Sequence, residues 1–247
     1  MTKNIAHRGY SEKYPENSLL AFSKAIEVGC DGIELDVHLS ADNVPVIMHD
    51  EKVDRTSDGS GLVRSMTLTQ LKRLKLAGGE RIPTLEEYFD LVKTAGIITN
   101  IELKNNVFWY EGMEEQVYHL IYKYGLQDKV ILSSFNHYSI LQCKKLDPKI
   151  PCGFLNASWM IDAGKYTEKY GVEYYHPRVQ SLTDEVIEEL HDRGILINTY
   201  TVNEPKKMEW LIERNIHGII TNDPELLGQI QEKKPMKSMG SAFNKCL

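Results

Sequence analysis

No stretch of the chain approaches the roughly 20 apolar residues that a membrane helix requires, and the opening MTKNIAHRG carries no apolar signal core. These absences predict a cytoplasmic protein without stable membrane insertion. Clustered Lys and Arg are also missing, and with a formal net charge of −6 the chain is a poor candidate for gripping nucleic-acid phosphates. Cysteine is sparse: Cys30, Cys143, Cys152 and Cys246 show no C-x-x-C spacing, which argues against a zinc site or a redox pair. At 247 residues a disulfide scaffold is equally out of place, so reduced thiols are expected.

What is present is ordinary soluble-globular composition, 42% hydrophobic and 26% charged residues, and the length suits one large α/β domain or two small ones. The pattern repeats in short units. Strands are expected at Asn4–His7, 33–38, Ile97–Leu103, Val130–Ser134, Cys152–Leu155, Glu173–His176, Ile195–Val202 and Gly218–Thr221. Helical spacing separates them: Leu19, Phe22, Ala25 and Ile26 in the first helix, a capping-box pair Thr84 and Glu87 at a later start, Asn136 and Asn203 as further caps, and Pro205 in a first turn. About eight β-α units in this length have the rhythm of a TIM (β/α)8 barrel. The doubly wound open sheet often carries a G-x-G-x-x-G turn, which this chain lacks.

Residues 51–79 break the rhythm. The polar run Arg55 to Gly61 and the leucines Leu68, Leu71 and Leu74 form an excursion longer than the roughly 2 to 6 residues usual for βα connections. It is expected to be a small insertion over the site, after the second strand, within a single catalytic domain spanning 1–234; 235–247 are expected to form a C-terminal tail.

The densest chemistry lies in GIELDVHLSADNVPVIMHD, residues 32–50. Strand alternation puts Glu34 and Asp36 on one face, where two carboxylates on an apolar strand repel unless a cation, a proton or a basic side chain lies between them. Ser40 to Asn43 read as a turn and Val44 to Met48 as a return strand that brings His49 and Asp50 back toward the carboxylates. Glu102, ending a neighbouring strand, adds a third carboxylate beside Lys104. Oxygen-only ligands suit Mg²⁺, Ca²⁺ or Mn²⁺ better than zinc. In such a barrel the active groups stand at the C-terminal strand ends, where His7, Arg8, Ser134, His176, Tyr200 and Thr221 also fall.

Taken together, His7-Arg8-Gly9, Pro15-Glu16-Asn17-Ser18, Glu34-Leu35-Asp36-Val37, Pro45 to Asp50, Ile82-Pro83-Thr84-Leu85, Glu102-Leu103-Lys104, Thr201-Val202-Asn203 and Thr221-Asn222-Asp223-Pro224 resemble the glycerophosphodiester phosphodiesterase family. The resemblance spans nearly the whole chain. It implies a TIM barrel with an insertion after the second strand and hydrolysis of deacylated phospholipids to sn-glycerol 3-phosphate and an alcohol. It further implies a divalent metal, Mg²⁺ or Ca²⁺ first and Mn²⁺ third, on Glu34, Asp36 and Glu102. Arg8 and Lys104 would contact phosphate, and His7 and His49 would share acid and base roles in an order the sequence leaves open. Direct attack by water and a cyclic phosphate route are both compatible with these residues. Asn17 either orients a ligand or caps the first helix. Phe135, Trp159, Tyr175 and Tyr200 are candidates for the wall around the alcohol, although the family often has Trp where this chain has Tyr200. His176 is within reach of the pocket, whereas His38, His119, His137, His191 and His217 are expected at the surface or in structural roles. The expected partner is a small molecule, and exposed helices leave room for a homodimer. Lysophospholipase-D-like or cyclising chemistry on the same barrel is the nearest alternative, and a barrel that binds without turnover the more distant one.

Overall fold

The structure, a computed structural model, describes residues 1–233. The expected tail and the expected helix end at Lys234 lie outside the described residues. In chain order the strands are β1 (Lys3–His7), β2 (Gly32–Leu39), β3 (Pro45–Ile47), β4 (Ile98–Leu103), β5 (Val130–Ser134), β6 (Cys152–Asn156), β7 (Tyr174–Pro177), β8 (Leu196–Thr199) and β9 (Gly218–Thr221). All but β3 run parallel. Because β1 pairs with both β2 and β9, the sheet closes into an eight-stranded barrel. β3 folds back antiparallel along β2, with Val37 opposite Ile47.

The helices are α1 (Leu19–Glu27), α2 (Leu68–Leu71), α3 (Leu85–Val92), α4 (Met113–Tyr124), α5 (His137–Leu146), α6 (Ala163–Lys169), α7 (Asp184–Asp192), α8 (Pro205–Glu213) and α9 (Pro224–Lys233). Barrel strands bury both faces, one inward and one beneath the helices, which is why every residue of β2 is buried. In α1 the apolar stripe sets Ala21, Phe22 and Ala25 against the barrel, and complete burial of Phe22 contributes about 2 kcal/mol. Ser18 starts that helix by accepting from the Ala21 N–H at 3.1 Å. Thr84 and Glu87 form the expected capping box on α3.

Two expected caps are corrected. Asn136 stands at the cap position of α5 without a capping bond, because its amide donates to the Asn105 carbonyl at 3.2 Å. Asn203 precedes the cap residue Glu204; its side-chain oxygen accepts from the Asn222 N–H and the Thr221 hydroxyl, tying two barrel loops together. β8 also ends earlier than expected, at Thr199.

Residues between β3 and α3 carry a small core of their own, in which Val53, Val63, Leu71 and Leu76 pack on Val46, Met48 and Ile82. The excursion is therefore anchored to β3 by burial, with α2 capped by the pair Thr67 and Gln70. Among the described residues, no helix is long and apolar enough to cross a membrane. Cys30, Cys143 and Cys152 are free and buried, as expected, and Cys246 lies outside the described residues.

Candidate active site

β2 and β4 lie side by side, with Asp36 in register with Glu102 and Glu34 with Asn100. Their shared inward face brings Glu34, Asp36 and Glu102 together, one oxygen of each lying within 4.8 Å of the others. All three are buried. Burial, reinforced by Asp36 and Glu102, pushes the Glu34 carboxyl well above the usual carboxylate range. Glu102 is also raised by burial, with the adjacent Lys104 cation opposing and Asp36 adding to it. Asp36 goes the other way: against the cost of burial, Lys104 and Arg8 hold it ionised.

Two cations border this cluster. Lys104 donates to Glu102 at 2.8 Å and stands 3.6 Å from Asp36. Arg8 places its Nε 3.4 Å from Asp36 while its backbone N–H donates to the Glu34 side chain at 3.1 Å. With all three carboxylates ionised the two cations leave one negative charge uncompensated, and Asp36 Oδ1 and Arg8 Nε are buried without hydrogen-bond partners. A cluster so arranged fits a hard divalent cation, whose charge would offset the excess and occupy the free oxygen.

The backbone here is bent for the purpose. Arg8 and Asn17 both have positive φ, 56° and 55°. Between them Gly9 lies against α1, where a Cβ would meet the Ala21 backbone at 2.7 Å, so no other residue fits. Asn17 does not cap α1, a role Ser18 takes; its amide donates to Asp36 at 2.8 Å.

The imidazoles His7 and His49 stand at the same strand ends, each pinned through one nitrogen. The Nδ1–H of His7 donates to the Asn222 side-chain oxygen at 2.6 Å, leaving Nε2 3.9 Å from Glu34. Burial, with Arg8 beside it, pulls His7 down to about 4. His49 donates from Nδ1 to Asp50 at 2.5 Å, and its backbone carbonyl accepts from His38 Nε2 at 3.3 Å. His38 is fully buried, with Tyr110 on its other nitrogen, so of the two expected places it takes the structural one, as a brace. Sequence alone assigns Asn222, Asp50 and His38 no functional role; only the adjacency of Asp50 to His49 is a local signal.

The aromatic candidates divide. Phe135 and Tyr200 meet edge to face at 6.1 Å, and Tyr200 donates to the Asn156 carbonyl. Phe135 also lines a 530 Å³ cleft with Asn105, Trp109 and Tyr138. Trp159 is exposed, whereas Tyr175 points outward beneath the helices and belongs to the core. His176 does not reach the site either: it is fully buried, beside Asn198.

A parallel (β/α)8 barrel with an acidic triad, two cations and two braced imidazoles on one rim defines a phosphoester-cleaving class of enzyme. Residues 7–226 match the glycerophosphoryl diester phosphodiesterase family model, and the chain belongs to that family as an enzyme of that activity. It is 39% identical over 236 residues to a glycerophosphodiester phosphodiesterase of Caldanaerobacter subterraneus subsp. tengcongensis, covering 93% of this chain and 97% of the other. The uncharacterized protein YqiK of Bacillus subtilis is 40% identical over 234 residues, with 91% and 96% covered. Among solved structures, an Oleispira antarctica phosphodiesterase in complex with the product sn-glycerol-3-phosphate superposes with a TM-score of 0.85 at 28% identity, covering 92% of this chain and 96% of the other.

Proposed function

We propose that this enzyme hydrolyses glycerophosphodiesters, such as glycerophosphocholine or glycerophosphoethanolamine, to sn-glycerol 3-phosphate and the free alcohol, with a divalent cation and two histidines. The observation that carries this reading is the pair of imidazoles, each fixed through Nδ1 by an oxygen acceptor and each beside the acidic triad. Glu34, Asp36 and Glu102 would hold the cation, Mg²⁺ or Ca²⁺ ahead of Mn²⁺. When bound, it supplies Lewis-acid polarisation of a phosphate oxygen.

Arg8 and Lys104 contact the phosphate and stabilise the charge that develops as the diester is attacked. With Nδ1 protonated by its bond to Asn222 or Asp50, each histidine presents Nε2 to the substrate. One imidazole takes the proton from the attacking nucleophile, water in the direct route, and the other delivers a proton to the departing alkoxide. Asn17 keeps Asp36 oriented. Phe135 and Tyr200 face the alcohol side. The sn-glycerol-3-phosphate product in the Oleispira relative's complex supports a small-molecule substrate.

The test is an assay of metal-stripped protein with three glycerophosphodiesters, adding Mg²⁺, Ca²⁺ or Mn²⁺ separately and measuring glycerol 3-phosphate. Metal-dependent release that disappears in His7→Ala and in His49→Ala is expected. A cyclic phosphate without free glycerol 3-phosphate would overturn the hydrolytic assignment.

A further inference from the structure

The excursion between β3 and α3 sends one side chain back to the barrel rim. Arg55 lies two residues beyond the fully buried Val53, in a turn closed by the Ser57 N–H to the Val53 carbonyl at 3.0 Å. Its guanidinium grips two carboxylates with different edges. Nε and Nη2 donate to Asp50 at 2.7 and 3.0 Å, and Nη1 and Nη2 donate to Glu16 at 2.9 and 2.7 Å. Asp50 is the acceptor on His49, and Glu16 is the acceptor on Arg8, at 2.9 Å.

We infer that Arg55 is a positioning residue that couples the two halves of the active site, setting the His49 imidazole through Asp50 and the Arg8 guanidinium through Glu16. The inference rests on the phosphodiesterase reading for the roles of His49 and Arg8. Geometry carries it, since four groups of alternating charge run from Arg8 through Glu16 and Arg55 to Asp50, which in turn accepts from His49, without a break.

Stability does not account for the arrangement. The Arg55 side chain is 48% exposed, and an ion pair so open to water contributes little to folding. A planar fork is nevertheless what such a junction needs: one guanidinium meets two carboxylates bidentately, whereas an ammonium offers a single charged point. The bond from Arg55 holds Asp50 ionised, at about 2, so the carboxylate stays an acceptor for His49 across the neutral range. The small core beneath the excursion, with Val53 and Leu71 fully buried, gives Arg55 a fixed base. The excursion thereby serves the site by bracing it, rather than by contacting the substrate.

The experiment compares wild type, Arg55→Ala and Arg55→Lys in full-length protein, with thermal melts and metal titration as controls. Misplaced catalytic groups cost up to about 100-fold in rate, and Arg55→Ala is expected to lose about 30-fold in kcat while binding metal normally. Arg55→Lys should recover less than about threefold of that loss, and millimolar guanidinium should restore part of the Arg55→Ala rate. In a double-mutant cycle with Asp50→Asn the losses should not multiply, because both substitutions release the same imidazole. Wild-type activity with Arg55→Ala within threefold of it in kcat and KM overturns the proposal, as do independent losses in the cycle. A second readout needs no turnover: in ¹⁵N-histidine spectra the His49 ring signals should shift in Arg55→Ala while those of His176 stay in place. Unmoved His49 signals overturn the positioning role even if wild type hydrolyses none of the substrates, a result that would separately end the phosphodiesterase reading.

Discussion

Two polar clusters are buried on opposite walls of the same barrel, and they are built differently. On the β2–β4 wall, Glu34, Asp36, Glu102, Arg8 and Lys104 are charged, unbalanced by one negative charge, and leave buried atoms without partners. On the β7–β8 wall, Asn198 joins two neutral imidazoles, meeting His176 Nε2 at 3.3 Å and His217 Nδ1 at 2.9 Å, and His176 Nδ1 is likewise buried without a partner. Tyr174 packs edge to face on both rings, and Gly153 leaves room for His176, where a Cβ would meet Nε2 at 2.7 Å. Burial is common to both clusters and so distinguishes neither. Charge is what separates them: a neutral network costs little in low dielectric, whereas an unbalanced ionic one is expensive and persists where a ligand completes it.

The largest test of that contrast is Glu34→Gln. Removing one of three crowded carboxylates relieves repulsion in metal-free protein while keeping an oxygen for the Arg8 N–H. Metal-dependent activity should fall at least about 10³-fold, as expected when a ligand that stabilises transition-state charge is lost. The melting temperature of the metal-free variant should rise in calorimetry. A fall in both would mean that the acidic cluster holds the barrel together, and the contrast between the walls would collapse.

The next test concerns Asn222, which touches His7 but not, in the proposed scheme, the phosphate. Asn222→Ala should lower kcat about tenfold, less than the roughly 10²- to 10⁴-fold loss expected for His7→Asn, because a ring free to rotate retains its proton chemistry. Little change in KM would accompany it. Steady-state kinetics on both variants decide the point, and an Asn222→Ala loss as deep as that of His7→Asn would place Asn222 on the substrate itself.

The difference between the walls also explains what was legible in the sequence. Period-two alternation is local, so Glu34 and Asp36 could be assigned to one face, and Glu102 to the neighbouring strand, from the sequence alone. Strand ends are nearly as local, which exposed His7 and His49. The partners that orient those rings were not legible as such, because Asn222 lies 215 residues from His7, and Arg55 meets Glu16 across 39. The same blindness worked in reverse on the opposite wall. His176 stands at a strand end like His7, and only the tertiary neighbours Asn198 and Gly153 show that its ring is enclosed. Tyr175, one residue earlier, faces the other way into the helical layer, so an aromatic-rich strand end does not by itself mark a pocket wall.

The smallest effect expected separates the walls by pH. Burial, with His217 adding to it, pushes His176 down to about 3, far below the 6.5 of an unperturbed imidazole. The unfolded chain therefore takes up this proton more readily than the folded one, so the neutral ring's contribution is complete above pH 6.5 and declines as the pH falls toward 3. At about 1.4 kcal/mol per pH unit, roughly 2 kcal/mol is lost between pH 6.5 and 5. His7 and His38, each near 4, add slopes of the same sign, whereas Glu34, raised by burial, opposes them. In His176→Gln, urea denaturation should show a loss of about 1 to 2 kcal/mol at pH 8, where the amide replaces the ring imperfectly. The acid decline of the variant should be shallower, so that the two stability curves converge toward pH 5. Its kcat/KM at pH 8 should match wild type, since the neutral wall does no chemistry. Parallel stability curves, or a drop in kcat/KM without loss of fold, would show that His176 is wired to the charged wall across the barrel.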